Sequence, residues 1–302
     1  MILRCSHRAH RKTSFNLVNI FTMPASKTAS NNDNSTSTSI AIIGCGWLGT
    51  PLARHFIDRG FTVRGTTTSR DKLEALQQAG IDASVYRLGS ETDAVPVAER
   101  YIINIPPSRI ADYPAKLAML LKSIPAQARQ ILFCSTTSVY GNAPGRVVES
   151  DVSPGEILPA GIDDEARHGT PRSVLLQAEG VMAADSRTTI LRLAGLIGGG
   201  RNPARFLAGR TGLSQPDAPV NLVHLEDLIS VFSALVDQHI TGGVFNVCAA
   251  AHPSRKAYYT AAAGNAGLSL PEFDETDTRG GKEIDSSALE TLIGLRLSRI
   301  HP

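Results

Sequence analysis

Three glycines follow a short apolar run with a spacing that suits phosphate binding. Gly44, Gly46 and Gly49 come directly after the apolar residues 40–43 and form the pattern G-x-G-x-x-G. The first glycine permits a tight turn, the second lets backbone amides approach a pyrophosphate, and the third allows close packing of helix on strand. Because residues 50–59 have helical spacing, the anion would lie at a helix N-terminus. The pattern predicts dinucleotide binding at residues 44–49.

The residues after the next predicted strand bear on the choice between NAD and NADP. An Asp or Glu about 20 residues beyond the glycines would bind the ribose 2′-hydroxyl of NAD. Residues 66–70 are instead Thr-Thr-Thr-Ser-Arg, with no acid. Hydroxyl groups and the Arg70 guanidinium suit a 2′-phosphate, so NADP is favoured over NAD. The alternative is that the Thr and Ser side chains cap the following helix and that Arg70 is only solvated.

Apolar strands alternate with helical segments along the chain, which is typical of a doubly wound α/β fold with a parallel sheet. The predicted strands lie at residues 40–43, 61–66, 101–105, 130–134 and 188–193, and the predicted helices at 50–59, 71–79, 113–123 and 175–184. Ligands in such sheets bind beyond the carboxyl ends of the strands. The predicted cofactor-binding residues at these ends are Gly44, Cys45, Gly46, Trp47, Leu48, Gly49, Thr66, Arg70, Asn104, Pro106 and Ser135.

Five motifs together resemble one protein family. They are GCGWLGTPLA at residues 44–53, STTSVYG at 135–141, RLAGLIGGGRNPARF at 192–206, VNLVHLEDL at 220–228 and FNVCAAAHPSR at 245–255. The chain is similar to the extended short-chain dehydrogenase/reductases, which include nucleotide-sugar epimerases and dehydratases, and within them to the atypical, YeeZ-like subgroup. The resemblance covers about residues 39–300. It implies a Rossmann sheet with a small C-terminal substrate lobe.

The resemblance also suggests how the chain divides. We expect a basic and polar leader over residues 1–38 and a dinucleotide-binding core over 39–197. Residues 198–302 would form mainly the substrate lobe, with segments that return to the core.

The catalytic pair of that family is missing from this chain. In the family a Tyr-x-x-x-Lys pair, with a Ser or Thr, moves a proton at the substrate hydroxyl, because the Lys lowers the pKa of the Tyr. None of the six tyrosines here has a Lys four residues later. Aligning the downstream Glu of the family with Glu179 puts Pro171 and Leu175 at the Tyr and Lys positions. Thr136 matches the family's Ser or Thr and is a catalytic candidate, with capping of a backbone group as the alternative.

A histidine and two arginines complete the candidates for site chemistry. His224 is the titratable group best suited to acid–base work, with a structural or orienting role as the alternative. Residues 198–206 resemble the family loop that approaches the nicotinamide and the substrate. Arg201 and Arg205 in this loop could hold an anionic substrate group, since guanidinium binds phosphate and carboxylate in bidentate fashion. A solvated basic loop is the alternative, and no metal site is predicted.

Composition and charge argue against several classes of protein. Of 302 residues, 42% are hydrophobic and 19% are charged, and the formal net charge is +2. Residues 1–39 alone carry a net +4, so the remainder is −2, which argues against a nucleic-acid-binding surface. No apolar run approaches the roughly 20 residues needed to span a bilayer. Four scattered cysteines favour a reducing compartment without disulfides.

The basic start of the chain leaves the compartment open. Residues 1–23 contain no acid, and they are either a transit peptide or an over-extended start with Met23 as the true initiator. We expect a cytoplasmic protein, or one of an organellar matrix if residues 1–23 are a transit peptide.

Two hypotheses about function follow. The first is an NAD(P)-binding oxidoreductase or epimerase-like enzyme that acts on a small polar or phosphorylated substrate, with nucleotide sugars among the candidates. The second, favoured by the missing Tyr and Lys, is a non-catalytic NADP(H)-binding redox sensor or regulatory module; a cofactor-free Rossmann domain is a weaker third. We expect an anionic small molecule as partner, no nucleic acid and no membrane, and leave a homodimer open.

Overall fold

The computed structural model describes residues 38–108, 110–142, 144–159 and 170–301. The leader predicted over residues 1–38 lies outside the described residues, apart from Thr38. The strands are β1 (Ser39–Ile43), β2 (Thr62–Thr67), β3 (Asp82–Val85), β4 (Arg100–Ile103), β5 (Gln130–Thr136), β6 (Gly145–Val147), β7 (Thr188–Leu193), β8 (Gly195–Ile197), β9 (Leu222–His224), β10 (Val244–Val247) and β11 (Lys282–Ile284). The α-helices are α1 (Gly49–Asp58), α2 (Arg70–Gln78), α3 (Tyr113–Ser123), α4 (Arg172–Ala183), α5 (Leu225–Asp237), α6 (Arg255–Asn265) and α7 (Ser287–Ile293).

In the described part of the chain, seven strands form one parallel sheet in the order β3-β2-β1-β4-β5-β7-β10. The order reverses direction between β1 and β4, as in a Rossmann fold. Strand β1 shows why the sheet is covered on both faces. Ile40 and Ile42 belong to one hydrophobic cluster, and Ala41 and Ile43 to the other. Because side chains alternate along a strand, each face packs against its own layer of helices. The predicted doubly wound α/β fold is confirmed.

The helices cover the two faces through apolar residues at helical spacing. In α1, Leu52, Ala53 and Phe56 are completely buried on the first face. On the second face, Leu117 and Leu120 of α3 lie in the other cluster, together with buried residues of α4. No helix in the described part of the chain is long and apolar enough to cross a membrane.

The predicted strands and helices are present, with small shifts at their ends. Strand β4 ends at Ile103 instead of residue 105, because the Asn104 amide makes a last bond to Ile43 O at 2.9 Å and the prolines that follow have no N–H to continue the ladder. Two strands of the sheet were not predicted: β3, a four-residue edge strand with two exposed side chains, and β10, the four-residue strand at the opposite edge. Such a short edge strand has too few buried residues for a clear period-2 pattern.

A smaller hydrophobic cluster lies in the C-terminal part of the chain. It joins Ile197, Ala204, Val220 and Leu222 to the apolar side of α6, where Tyr258 is buried. Strands β8 and β9 pair there in a separate two-stranded sheet. The same part of the chain also returns β10 to the edge of the main sheet and pairs β11 with β6.

Candidate functional site

The glycine-rich turn between β1 and α1 depends on its glycines for two different reasons. Gly44 has φ +108°, and a Cβ there would lie 2.4 Å from Asn104 O. A Cβ on Gly49 would lie 2.2 Å from Gly44 O. A Cβ on Gly46, by contrast, would meet no protein atom within 4 Å. The protein itself therefore requires Gly44 and Gly49, whereas Gly46 leaves an open face in front of the turn.

Hydrogen bonds from the neighbouring strands hold this turn. The Gly44 amide donates to Thr66 Oγ1 at 3.0 Å, and the Cys45 amide donates to Thr66 O at 2.7 Å. From the other side, Asn104 Nδ2 donates to Gly44 O at 3.4 Å. Thr66 is 1% exposed, so its side chain supports the turn from behind. Arg70 is exposed at the first residue of α2.

The turn fits a dinucleotide pyrophosphate. The first turn of α1 contains no acidic residue, and Leu48 at its N-cap makes no side-chain capping bond. The positive end of the helix dipole thus faces the open side of Gly46, where orphan amides attract an anion. Cys45 and Leu48 are buried, so they can serve the cofactor only through backbone atoms. Burial raises the pKa of the Cys45 thiol to about 11.

A cavity of about 810 Å³ opens at the carboxyl ends of β4, β5 and β7, between the sheet and the C-terminal part of the chain. Among the predicted site residues it brings together Asn104, Pro106, Ser135, Thr136 and Arg201. Asn104 also bonds to the glycine-rich turn, so the turn and the cavity are adjacent.

Apart from the loop residues 44–49, four predicted residues are absent from the cavity's lining among the described residues: Thr66, Arg70, Arg205 and His224. Arg205 is exposed in a single 3₁₀ turn, Pro203–Phe206.

Thr136 both lines the cavity and caps the 3₁₀ turn Thr137–Tyr140. Its Oγ1 accepts from the Ser138 amide and donates to Ser138 Oγ, each at 3.2 Å. The hydroxyl thus has the capping role in this structure, and the residue also lines the cavity, where its predicted catalytic role stays a prediction.

His224 is the N-cap of α5. Its Nδ1 accepts from the Glu226 amide at 3.2 Å. The other side of the ring packs against Gly198, where a Cβ would lie 2.2 Å from Nε2. The structure thus gives His224 a local role in helix capping and in packing the 198–201 turn.

The positions that the resemblance aligns with the family's Tyr and Lys are apolar here. Pro171 is the N-cap of α4, and Leu175 and Ala178 of that helix line the cavity. Leu175 is 5% exposed. No side chain in these positions can exchange a proton.

The cavity carries positive charge. Its lining includes Arg201, Arg255 and Lys282, and among the described residues it includes no Asp, Glu or His. Lys282 is buried and donates from Nζ to Thr137 O at 2.6 Å and to Gly141 O at 2.8 Å. Arg255 begins α6 and donates to Ser214 O at 2.7 Å. Such a surface attracts anions.

Sequence reasoning missed Lys282 as a site residue and found no role for Arg255. Arg255 at least lies in the recognised 245–255 motif. Lys282 had no sequence signal, since it reaches the cavity from a strand 145 residues beyond its bonding partner Thr137.

A buried polar network supports the cavity from below. Ser135 Oγ donates to Glu179 Oε1 at 2.5 Å, and Arg192 Nη2 donates to Glu179 Oε2 at 2.7 Å. Glu179 and Arg192 are fully buried. Arg192 also donates to Tyr140 Oη at 2.8 Å, and Tyr140 in turn donates to Asn246 at 2.7 Å. Tyr140 is therefore a structural residue, and burial raises the pKa of its hydroxyl.

The sheet order, the turn and the cavity define a Rossmann protein that binds a nicotinamide dinucleotide. Residues 39–139 match the family described as the NAD binding domain of 6-phosphogluconate dehydrogenase. The chain is also 35% identical over 279 residues to protein YeeZ of Escherichia coli strain K12, a match that covers 84% of this chain and 94% of that protein. The chain belongs to the family of protein YeeZ, as its motifs predicted.

Two solved structures show the same fold. A functionally unknown conserved protein from Silicibacter pomeroyi aligns with a TM-score of 0.67 at 24% identity, over 86% of this chain and 93% of that one. A human epimerase family protein, solved with NADPH, aligns with a TM-score of 0.61 at 14% identity, over 86% of this chain and 95% of that one.

Proposed function

We propose that this protein binds NADP(H) in preference to NAD(H) and transfers hydride to or from a small anionic substrate. The bound cofactor would supply the hydride, and the protein would orient it. Residues 44–49 would hold the pyrophosphate. Arg70, exposed at the start of α2, would face the 2′-phosphate. The binding of NADPH by the human epimerase family protein, alongside the NAD-type family match, is consistent with either dinucleotide.

The observation that carries the choice of substrate is the charge of the cavity. Three cations line it, and among the described residues no carboxylate or histidine does. A carboxylate or phosphate would be attracted by the Arg201 and Arg255 guanidiniums, whereas a neutral polar substrate would not. Arg255 is the cation best placed to hold that anion, because α6 carries it into the cavity from the C-terminal cluster.

Proton transfer would use hydroxyl groups and water. Thr136 would hydrogen-bond the reacting oxygen of the substrate, and Ser138, bonded to it at 3.2 Å, would connect it to solvent. Without the Tyr and Lys pair this relay has no group with a pKa near neutrality, so we expect turnover slower than a Tyr-x-x-x-Lys enzyme achieves.

Calorimetry and kinetics test the proposal in sequence. NADPH should bind more tightly than NADH, and NADPH absorbance should then fall with carbonyl compounds that carry a carboxylate or phosphate but not with neutral analogues. Arg255→Met should remove this preference, and Lys256→Met, the exposed neighbour paired with Glu275, should keep it. Tight NADPH binding with no turnover across the panel would contradict the enzymatic reading.

The second candidate function is an NADP(H)-binding redox sensor. The replacement of the proton-transfer pair by Pro171 and the buried Leu175 favours it. A sensor must bind NADPH and NADP⁺ with different affinities, since a ligand without differential affinity shifts no equilibrium. Equal affinities for the two forms would eliminate this candidate.

A further inference from the structure

The turn at residues 198–201 lies against the glycine-rich loop. Trp47 Nε1 donates to Gly199 O at 3.3 Å, and the Arg201 guanidinium lies 4.8 Å from the centre of a Trp47 ring. The turn closes through bonds in both directions between Gly198 and Arg201, at 3.1 and 2.9 Å. The guanidinium of Arg201, which follows β8 in the chain, is thus held beside the loop that is predicted to bind pyrophosphate.

Glycine is required for this approach. Gly198, Gly199 and Gly200 all have positive φ, at +80°, +55° and +80°. A Cβ on Gly199 would lie 2.6 Å from Leu225 Cδ2 and 3.3 Å from Trp47 Nε1. The run of three glycines therefore brings the turn close enough to place Arg201 on the indole.

Arg201 is available for an anion. It is exposed, and it forms no ion pair with a carboxylate in the part of the chain that the structure describes. Its contact with Trp47 is a cation–π interaction, which is weaker than a bidentate bond to phosphate. A phosphate within reach would draw the guanidinium from the ring.

We propose that Arg201 is a ligand of the cofactor pyrophosphate and rests on Trp47 until the dinucleotide binds. The inference rests on the proposed dinucleotide binding and deepens it. Trp47 follows Gly46, whose open face adjoins the N-terminus of α1, so a guanidinium on the indole is held beside the turn where the pyrophosphate would bind. Arg201 also lines the cavity, so the cofactor site and the substrate cavity share this residue.

Calorimetry with ADP-ribose tests this role. ADP-ribose carries the pyrophosphate but no nicotinamide and no substrate anion. Arg201→Ala should weaken its binding about tenfold or more, the usual loss of a hydrogen bond to a charged group. Arg201→Lys should recover only part of the affinity, because Lys lacks the bidentate fork. Arg205→Ala, a matched exposed arginine outside the cavity lining, should bind as the wild type does.

Fluorescence gives a second readout, since Trp47 is the one tryptophan of the sequence. ADP-ribose should change its emission in the wild type and in Arg205→Ala but much less in Arg201→Ala. Equal affinity of Arg201→Ala and Arg205→Ala for ADP-ribose would overturn the inference. If the wild type itself fails to bind ADP-ribose, the proposed dinucleotide binding fails instead.

Discussion

The two halves of the cleft keep the family pattern to different degrees. In the loop half, Gly44, Gly46 and Gly49 each have a geometric role, and their strand–turn–helix setting is intact. In the cavity half, the resemblance aligns Pro171 and Leu175, neither of which can exchange a proton, with the family's Tyr and Lys. Cofactor binding rests on backbone geometry that the fold itself needs, whereas proton transfer rests on two side chains that the fold does not need. The proton-transfer side chains can therefore be absent from a chain that keeps the cofactor loop.

The cavity half has its own structural support. Ser135, Glu179 and Arg192 form a buried network beneath the cavity.

Removing that support should give the largest effect. Glu179→Ala leaves Arg192 buried without its carboxylate, and the free energy of unfolding should fall by about 3–5 kcal/mol. Urea denaturation measures this change in the free energy of unfolding. Glu226→Ala, which removes the exposed partner of Arg299, should cost at most about 1 kcal/mol. Similar losses in the two variants would mean that the network does not hold the cavity half.

In the loop half, the expected loss is in binding instead of stability. Gly46→Val should weaken NADPH binding by about 100-fold or more, because the side chain fills the face where backbone amides meet the pyrophosphate. Its Cβ meets no protein atom within 4 Å, so the free energy of unfolding should change by only about 0.5 kcal/mol. Calorimetry and urea denaturation separate the two effects. Retained binding would show that the loop has been misassigned.

A smaller effect should distinguish the two cofactors. Arg70→Ala should weaken NADPH binding about tenfold, the loss of a charge-assisted bond, and leave NADH binding unchanged. Arg87→Ala, an arginine paired with Asp93, is the control and should change neither affinity. Equal losses for NADPH and NADH would remove Arg70 from the 2′-phosphate site.

The smallest effect concerns the thiols of both halves. Burial raises the pKa of Cys45 to about 11 and that of Cys134 and Cys248 to about 12, from an ordinary 9.0. At pH 8 iodoacetamide should leave these three unmodified in the native protein and modify them in urea, as mass spectrometry would record. Rapid modification of Cys134 in the native protein would contradict the raised pKa of its thiol.

The same shifts have a consequence for stability. The pKa of each thiol is higher in the folded chain than in the unfolded one. Each protonated thiol therefore contributes to the free energy of unfolding below pH 9, and this contribution is lost as the pH rises toward 11–12.

Some of the site was predictable from the sequence because its signal is local. The glycine-rich turn lies within six consecutive residues, and the strand and helix beside it are strongly periodic. His224 shows what a local signal leaves open. Its residue type allowed either acid–base chemistry or a structural role, and in the structure its ring caps α5 and packs against Gly198. The Thr66 hydroxyl was predicted near a 2′-phosphate, and in the structure it accepts a hydrogen bond from the Gly44 amide.

The sequence by itself determined the α/β class, the dinucleotide loop and the absence of a Tyr-x-x-x-Lys pair, because each depends on residues close together in the chain. Only the tertiary structure decided which charges meet in the cavity. Lys282 bonds to Thr137 across 145 residues, and Arg201 reaches Trp47 across more than 150. Packing of the C-terminal cluster against the sheet ends brings them together, and such long-range proximity leaves no periodic trace in a single sequence.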